Sequence, residues 1–419
     1  MGGHVAIVGA GQAGAALALR LRSRGYDGAI TLFGDEPDPP YQRPPLSKAY
    51  LSGAWSAERL YLRPAGHWRD QSVRLCLAEA VTVIDPIGRL LQVGTEQVVW
   101  TKLAIVTGAA PRPKPAVLAG LRGIHEVRRI ADVDALRQSF VAGRRLLVVG
   151  GGFIGLEAAA VASKAGLHVT VVEQAGRILE RAVCVQTAEY LRALHEQHGV
   201  RIVAGSRIVR ALGDGELCGV ELDSGAVIRC DLALLGIGVQ PRTSLAERAG
   251  IVCADGIVVD AYGRTSATDI WAAGDCANFP LHGQATRLEN VQNAIEQAET
   301  VADDMVCDAR PYAPVPWFWS DQYDVKLQIA GLNRGYDRVL MRADGRGHSH
   351  WYFREDRLLA VDSLNDARTF MAAKRLFERG HLPLRSQVSC PGFDPVSFMR
   401  ASEKGIDTDV VNKQSVRTD

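Results

Sequence analysis

A glycine-rich motif that occurs twice restricts the fold of this chain more than any other feature. Residues 4–14 read HVAIVGAGQAG and residues 146–155 read LLVVGGGFIG, so each apolar strand ends in a Gly-x-Gly-x-x-Gly turn. The first glycines of the two turns are 150 − 9 = 141 residues apart. An alanine-rich segment follows each turn, and a second apolar strand comes next, at residues 30–33 and 169–172. The sequence therefore predicts two units of strand, crossover helix and parallel strand.

The residue types of the first turn suit a backbone that approaches a phosphate group. Gly9 permits the tight turn, Gly11 lets the backbone come close to a pyrophosphate, and Gly14 lets the helix pack closely on the strand. The N-terminus of the helix then offers unpaired N–H groups and the positive end of its dipole to the anion. The first unit is therefore predicted to bind a dinucleotide.

Acidic residues indicate which dinucleotide the first unit binds. Gly34 stands where the ribose-binding acid usually lies, so Asp35 or Glu36 takes that role, and Asp35 is favoured. Residues 265–278 read TSATDIWAAGDCAN and place Asp275 at the end of a strand. An acid there suits the hydroxyl-rich ribityl chain of FAD, although it could instead cap a helix or a turn. FAD is the predicted ligand.

The second turn has the same context and a clearer acid. Its three glycines are Gly150, Gly152 and Gly155. A carboxylate at Glu173 would accept the 2′-hydroxyl of NAD and repel the 2′-phosphate of NADP. Arg177 and Arg181 follow closely and could meet a phosphate, and Glu173 could be a solvated loop residue, but NADH is preferred. Two such units in one chain predict electron transfer between two dinucleotides.

Composition excludes several other classes of function. The net charge of +1 gives no bulk electrostatic case for nucleic acid. The eight cysteines are scattered, without Cys-x-x-Cys or metal-ligand spacing, so we expect reduced thiols and no metal. The most apolar stretch, residues 146–162, carries four glycines and Glu157, which argues against a membrane span. With no secretory signal at the N-terminus, we expect a soluble cytoplasmic protein.

Two later regions differ from the Rossmann-type units. Residues 201–235 alternate with period two around glycine-containing turns, which predicts antiparallel hairpins. After Pro311, strand-like stretches precede one predicted helix over residues 367–378, which indicates a third, α+β domain. The last dozen residues are polar and are expected to fray. The predicted fold class is α/β, with two Rossmann-type dinucleotide-binding domains and a C-terminal α+β domain.

The chain resembles the FAD-containing NADH–ferredoxin reductases of bacterial oxygenase systems, the putidaredoxin reductase-like group with a glutathione-reductase-like fold. The first glycine turn and five further segments carry this resemblance: YQRPPLSK (41–48), GGGFIGLE (150–157), AGDC (273–276), RLENVQNA (287–294) and WFWSDQY (317–323). These segments span nearly the whole chain in the family's order. The resemblance is therefore specific, and it implies the domains and roles that follow.

The resemblance implies an FAD domain in two segments around an inserted NAD domain. The FAD domain would comprise residues 1–109 and 240–315, the NAD domain 110–239, and the C-terminal domain 316–419. The implied FAD contacts are Ala13, Asp35, Lys48, Val81, Arg128, Asp275 and Val291. Gly238 is also predicted to bind a cofactor.

The resemblance also implies three residues for hydride transfer. Lys48, which follows Pro44 and Pro45, would place a cation near the flavin N5, and Glu157 could pair with it. Trp319 would lie over the nicotinamide. Lys48 alone could be a solvated helix residue and Trp319 a core residue. A helix over residues 291–305 would direct its N–H groups at the flavin pyrimidine.

The electron acceptor follows from a missing feature. Disulfide reductases of this fold place reactive cysteines shortly after the first unit, but residues 41–51 contain none. Electrons would therefore leave for an external carrier, and the family's partner is a 2Fe-2S ferredoxin that serves a monooxygenase or Rieske dioxygenase. Arg63, Arg69 and Arg287 are candidates for a basic docking surface. An NADH oxidase, peroxidase or disulfide reductase is the alternative enzyme, and a flavin-binding sensor is a non-catalytic one.

Overall fold

The structure, a computed structural model, describes residues 3–308, 310–343, 345 and 347–403. The chain divides into two compact units, one within Met1–Arg112 and Val239–Pro314 and the other within Pro113–Gly238 and Val315–Asp419. The chain thus leaves the first unit once and returns to it.

Helices and strands are interspersed along the first half of the chain. Residues 3–112 contain β1 (His4–Val8), α1 (Gln12–Ser23), β2 (Ala29–Phe33), α2 (Ala65–Asp70), β3 (Val73–Cys76), β4 (Val81–Asp85), β5 (Leu90–Val93), β6 (Glu96–Val99), β7 (Lys102–Ile105) and β8 (Ala109–Pro111). Residues 113–238 contain β9 (Ile124–His125), α3 (Ile130–Arg137), β10 (Arg145–Val149), α4 (Phe153–Lys164), β11 (His168–Val172), α5 (Val185–Gln197), β12 (Arg201–Val203), β13 (Ile208–Leu212), β14 (Gly219–Leu222), β15 (Val227–Arg229) and β16 (Leu232–Leu235).

The second half continues in the same way. Residues 239–314 contain β17 (Val239–Pro241), α6 (Ser244–Arg248), β18 (Ile257–Val258), β19 (Ile270–Ala272), β20 (Ala277–Leu281), β21 (Gln284–Thr286) and α7 (Val291–Met305). Residues 315–403 contain β22 (Trp317–Gln322), β23 (Val325–Gly331), β24 (Arg338–Ala343), β25 (His348–Arg354), β26 (Arg357–Leu364), α8 (Ala367–Arg379), α9 (Arg385–Ser389) and α10 (Pro395–Glu403). Short 3-10 helices span Pro44–Ser47, Ala57–Arg59, Ala116–Leu118 and Gly274–Cys276.

A five-stranded parallel sheet, in the order β19-β7-β1-β2-β3, forms the centre of the first unit. Val5, Ala6 and Ile7 of the central strand are fully buried. Such a continuous apolar run is typical of a parallel strand covered on both faces. Leu17 of α1 and Val301 of α7 belong to the same core. The first glycine turn therefore begins at the carboxyl end of the central strand.

The second unit contains a matching parallel sheet in the order β12-β11-β10-β16-β9. Its central strand β10 leads into the second glycine turn and α4. The antiparallel sheet β13-β14-β15 confirms the predicted hairpins for residues 208–229 and shares an apolar core with the parallel sheet. The prediction was wrong at the two ends of the range 201–235, because β12 and β16 pair as strands of the parallel sheet. Both predicted units of strand, helix and parallel strand are therefore present.

The C-terminal segment forms an antiparallel sheet in the order β22-β23-β26-β25-β24, and α8 and α10 contribute to its core. The predicted helix over residues 367–378 corresponds to α8. Two further short helices, α9 and α10, escaped prediction because neither has a long periodic pattern. The last dozen residues, expected to fray, lie outside the described residues.

The predicted α/β fold class with a C-terminal α+β domain is confirmed. The assignment of each domain to a ligand stays a prediction at this point. Among the helices that the structure describes, none has the length and apolar character needed to cross a bilayer.

Candidate dinucleotide-binding and redox site

The first glycine turn is tightly closed at two glycines and open at the third. Gly9 has φ +127°, and a Cβ there would lie 2.2 Å from the backbone oxygen of Val106. A Cβ on Gly14 would lie 2.1 Å from the oxygen of Gly9. A Cβ on Gly11 would meet no atom within 4 Å, and α1 begins there without a side-chain cap. The open side of Gly11 thus fits a pyrophosphate at the helix N-terminus.

A cavity of about 250 Å³ lies at the carboxyl ends of β1 and β2. Asp35 and Val81 line it together, as do the basic residues Arg242 and Arg248. An Asp35 carboxylate oxygen accepts a hydrogen bond of 3.0 Å from Arg242. The volume is below the roughly 300–1,000 Å³ of sites for whole drug-sized ligands, which suits one end of a dinucleotide.

Glu36, the alternative ribose ligand, has a different task. It accepts hydrogen bonds of 2.6 Å from the Tyr41 hydroxyl and 2.6 Å from the Arg43 guanidinium. Glu36 therefore anchors the segment that leads to Lys48. This arrangement favours Asp35 for the ribose.

Asp275 lies where two helices of the first unit meet. Gly274, directly before it, has φ +79°, and a Cβ there would lie 3.3 Å from the Cβ of Ala13 in α1. The same Cβ would lie 3.8 Å from Ala294 in α7. The Gly274 N–H donates to the Gln297 side chain at 2.9 Å. The fold thus brings the first glycine turn, Asp275 and α7 together.

The beginning of α7 and Lys48 were both predicted to contact the flavin. Val291 is the first residue of α7, and the Asn290 side chain accepts the N–H of Asn293 at 2.7 Å. One of the N–H groups expected to face the flavin is therefore already paired within the protein. Lys48 follows the 3-10 helix Pro44–Ser47, and its ammonium donates to the Pro44 oxygen at 3.3 Å.

The second turn repeats this construction and adds a carboxylate. Gly150 has φ +104°, and a Cβ on Gly155 would lie 2.4 Å from the Gly150 oxygen. Glu173 accepts the N–H of Gly151 at 2.6 Å and the N–H of Ala175 at 2.7 Å. Backbone groups therefore hold the predicted ribose ligand directly against the glycine turn.

Two predicted cofactor residues lie in the second unit away from its glycine turn in sequence. Arg128 comes just before α3, and its N–H donates to Asp132 at 3.2 Å. Gly238, with φ +94°, is the last residue before the chain returns to the first unit. Their cofactor contacts stay predictions.

Glu157 and Trp319 lie on elements that pack together in the second unit. Glu157, in α4, is 4% exposed and accepts the Ser320 hydroxyl at 2.6 Å. Trp319, on β22, stacks on Trp317 with ring centroids 5.5 Å apart. Trp317 in turn contacts Phe370 of α8, so it packs in the core as expected for most tryptophans.

The structure changes the interpretation of one arginine and adds another that the sequence analysis did not identify. Arg287, a candidate docking residue, has a side chain only 13% exposed and pairs with Asp255 and Glu289. These pairs connect the loops that precede α7. The Arg287 guanidinium is therefore largely covered and already paired, which argues against a place in a basic docking surface. Arg242 was missed, although it stands two residues after the predicted return to the first domain at residue 240.

Comparison with known proteins gives the same picture over nearly the whole chain. Residues 3–298 match the family described as pyridine nucleotide-disulphide oxidoreductase, and residues 317–395 match the reductase C-terminal family. Rhodocoxin reductase of Rhodococcus erythropolis is 42% identical over 89% of this chain and 88% of its own. Putidaredoxin reductase of Pseudomonas putida is 37% identical over 89% of this chain and 91% of its own.

Solved structures of ferredoxin reductases match the fold of this chain over most of its length. The ferredoxin reductase for the CYP199A2 system of Rhodopseudomonas palustris has a TM-score of 0.91 and 37% identity, covering 94% of this chain and 98% of its own. The covalent putidaredoxin reductase–putidaredoxin complex matches with a TM-score of 0.90 and 35% identity, over 96% and 99% of the two chains. The protein is an oxidoreductase that uses FAD and a nicotinamide dinucleotide. The chain belongs to the pyridine nucleotide-disulphide oxidoreductase family, as a ferredoxin reductase with the reductase C-terminal domain.

Proposed function

We propose that this chain is an NADH-dependent reductase that works in the cytoplasm. Its electrons go to a small 2Fe-2S ferredoxin, which serves a monooxygenase or a Rieske dioxygenase. FAD, when bound, accepts a hydride and releases its two electrons singly. One NADH thus reduces two ferredoxins and releases one proton as NAD⁺ forms. The rhodocoxin and putidaredoxin reductases among its relatives, and the complex with putidaredoxin, support this acceptor.

The position of Glu173 is the observation that carries the preference for NADH. Its carboxylate is fixed against the second glycine turn by the N–H groups of Gly151 and Ala175. A fixed negative charge accepts a ribose hydroxyl and repels a phosphate in the same place. Arg177 donates to the backbone oxygen of Glu180 through only one of its guanidinium nitrogens, so the preference for NADH rests on Glu173 alone. NADPH is therefore the weaker substrate.

Cofactor binding is assigned to the two glycine turns. In the first unit, the turn that begins at Gly9 holds FAD with Asp35 at the ribose and Asp275 at the ribityl chain. In the second unit, the turn that begins at Gly150 holds NADH. The open side of Gly11 and the cavity beside Asp35 support the first assignment.

Three side chains are assigned to hydride transfer. Lys48 supplies a positive charge at the flavin, Glu157 sets the position of that charge, and Trp319 supports the nicotinamide. Transfer of this kind depends on orientation more than on acid–base chemistry. The burial of Glu157 and its bond to Ser320 support a fixed position for its carboxylate.

An external acceptor is favoured over an internal disulfide. All eight cysteines are unpaired in the structure, and residues 41–51 contain none. Cys76, the nearest cysteine, has a thiol whose pKa is raised by burial, which disfavours the reactive thiolate. Of the candidate docking residues, Arg63 and Arg69 are exposed.

Anaerobic stopped-flow mixing of the FAD-loaded protein with NADH or NADPH tests the proposal. We expect rapid flavin bleaching by NADH, slower bleaching by NADPH, and two ferredoxins reduced per NADH when a ferredoxin from a neighbouring gene is added. Alkylation of the thiols should leave these rates unchanged. A flavin that NADH does not bleach, or activity abolished by alkylation, would contradict the proposal.

A further inference from the structure

A chain of buried side chains in the second unit ends on the Glu157 carboxylate. The Ser320 hydroxyl donates to Glu157 at 2.6 Å, and the Gln322 amide donates to the Ser320 oxygen at 3.1 Å. The Gln322 oxygen lies 2.9 Å from Nε2 of His195. Ser320, Gln322 and His195 are at most 1% exposed. Four buried polar side chains are thus linked in a line.

The alternation of β22 explains why these side chains meet. Successive side chains of a strand point to opposite faces, so Phe318, Ser320 and Gln322 share one face. The Phe318 ring lies 4.6 Å from the ring of Phe153 in α4, which fixes that face against the helix that carries Glu157. The same strand therefore delivers two polar groups to the inside of the unit.

The hydrogen bonds of this chain run in one direction. A carboxylate only accepts, so the single hydroxyl proton of Ser320 is committed to Glu157. The Ser320 oxygen then accepts from the Gln322 nitrogen, and the amide oxygen of Gln322 accepts from His195. His195 must therefore carry a proton on Nε2. Its burial lowers the pKa of the imidazole, which favours this neutral, singly protonated form.

The middle member determines what the chain can transmit. The Gln322 amide donates through nitrogen and accepts through oxygen, and it neither gains nor loses a proton near neutral pH. A proton relay through it is therefore excluded by its chemistry. Orientation is transmitted instead, because each side chain fixes the rotamer of the next.

We propose that Ser320, Gln322 and His195 are positioning residues that fix the Glu157 carboxylate for hydride transfer. This inference rests on the role assigned to Glu157 under the proposed function. A carboxylate held within a narrow range of orientations keeps its catalytic partner in register, since small displacements in an active site cost large factors in rate. The serine acts on the reaction only through Glu157.

Single-turnover reduction of the bound flavin by NADH tests the serine. Ser320→Ala should lower the limiting rate about tenfold, the loss expected for one hydrogen bond to a charged group, with NADH affinity and FAD content unchanged. Glu157→Gln should lower the rate at least as much. The double variant Ser320→Ala/Glu157→Gln should be no slower than Glu157→Gln alone, because the serine then has no carboxylate to position.

Ser363→Ala is the matched control. Ser363 is equally buried, lies in the same unit, and its hydroxyl has no hydrogen-bond partner among the described residues. Its removal should leave the limiting rate unchanged. An equal slowing by Ser320→Ala and Ser363→Ala, or loss of FAD from Ser320→Ala, would assign the serine a merely structural role and overturn the inference.

Gln322→Glu gives a test independent of activity. Its carboxylate keeps the shape of the amide but cannot donate to Ser320. In ¹⁵N NMR of histidine-labelled protein, His195 should be a neutral Nε2–H imidazole in the wild type and an imidazolium in this variant. A wild-type proton on Nδ1 would reverse the chain and overturn the inference.

The outcomes separate this inference from the function on which it rests. A wild-type flavin that NADH does not reduce would overturn both. Rapid wild-type reduction that is slowed by Glu157→Gln but unaffected by Ser320→Ala would overturn the positioning role alone. Rapid reduction unaffected by Glu157→Gln would remove the assigned role of the carboxylate and the inference with it, while NADH dependence would stand.

Discussion

The two glycine turns share a backbone geometry but present different side chains. Gly9 donates its N–H to Phe33 at 2.8 Å, and Gly150 donates its N–H to Val172 at the same distance. A Cβ on Gly9 would lie 2.2 Å from the backbone oxygen of Val106, just after β7. A Cβ on Gly150 would lie 2.4 Å from that of Gly236, just after β16. Each turn thus closes in the same way at the end of a central parallel strand. Identical closure leaves the choice of dinucleotide to the surrounding side chains.

The clearest difference lies at the residue after the second strand. It is Gly34 in the first unit and Glu173 in the second. A Cβ on Gly34 would lie 2.7 Å from the Cβ of Ala10. In the second unit Gly151 takes the place of Ala10 and donates its N–H to Glu173. In this chain the acid thus follows the strand directly beside Gly151 and stands one position further along beside Ala10.

The largest expected effect separates the two turns by their ligands. Gly11 and Gly152 both have φ below zero, −97° and −81°, so alanine fits their backbones. A methyl group would occupy the space that the pyrophosphate needs. Gly11→Ala should therefore be purified almost free of FAD, whereas Gly152→Ala should keep FAD and bind NADH at least about tenfold more weakly. Visible flavin absorbance and NADH titration measure the two effects.

A control for both variants lies on the surface of the first unit. A Cβ on Gly66, in α2, would also meet no atom within 4 Å. Gly66→Ala should keep both FAD and NADH affinity. Loss of FAD from Gly152→Ala, with retention in Gly11→Ala, would exchange the two assignments.

The second prediction concerns the acid of the second turn. Glu173→Arg removes a carboxylate that accepts two backbone N–H groups and places a cation at the ribose. Hydrogen bonds to a charged group contribute about 1.5–3 kcal/mol, so kcat/KM for NADH should fall about 10- to 100-fold while the value for NADPH rises. Steady-state kinetics with both nucleotides give the ratio. Glu180→Arg, an exposed charge reversal seven residues on, should change neither value greatly, and equal effects of both variants would deny Glu173 its role.

How much of the fold and of the site could be predicted from the sequence depends on how far apart in the chain the interacting residues lie. The turns, their helices and Glu173 were predictable because a local pattern encodes each of them. The bond between Ser320 and Glu157 joins residues 163 positions apart, and no local pattern encodes it. The ion pairs of Asp303 with Arg20 in α1 and with Arg24 just after α1, at 2.7 Å and 2.8 Å, also join residues far apart in the sequence. Such pairings depend on how elements pack, which the pattern of one element does not contain.

A third prediction decides between the two acids of the first unit. Asp35 lines the cavity, whereas Glu36 binds Tyr41 and Arg43. Asp35→Asn should weaken FAD binding about tenfold, because the ribose loses a charged acceptor. Glu36→Gln should keep FAD affinity nearer to wild type and lower the melting temperature by a few degrees instead, about 1 kcal/mol of unfolding free energy. FAD dissociation constants and thermal melts distinguish them, and the reverse pattern would make Glu36 the ribose ligand.

The two units also differ in how they hold their buried acids. In the first unit Asp304 is paired with Arg264 at 2.6 Å. In the second unit Asp362 accepts hydrogen bonds from the Thr187 hydroxyl at 2.9 Å and from the Tyr352 hydroxyl. Thr187 also lies 2.8 Å from Nδ1 of His350. Burial raises the pKa of Asp362 to about 7 and lowers the pKa of His350 to about 4.

The effects of these two pKa shifts on the pH dependence of the unfolding free energy should cancel in the wild type and appear in single variants. Between about pH 4 and 6.5 the folded pair holds one proton on Asp362, and the unfolded pair holds one on His350, since their ordinary pKa values are 3.8 and 6.5. Asp362→Asn leaves only the histidine, so the unfolding free energy, relative to wild type, should rise with pH by about 1.4 kcal/mol per unit. His350→Gln leaves only the acid, so it should fall with pH at the same rate up to about pH 7. Urea unfolding at pH 4.5, 5.5 and 6.5 measures both slopes. His348, which also faces His350, is present in every variant, so its contribution cancels when each variant is compared with the wild type. Curves parallel to wild type for both variants would mean that neither group changes its protonation on unfolding.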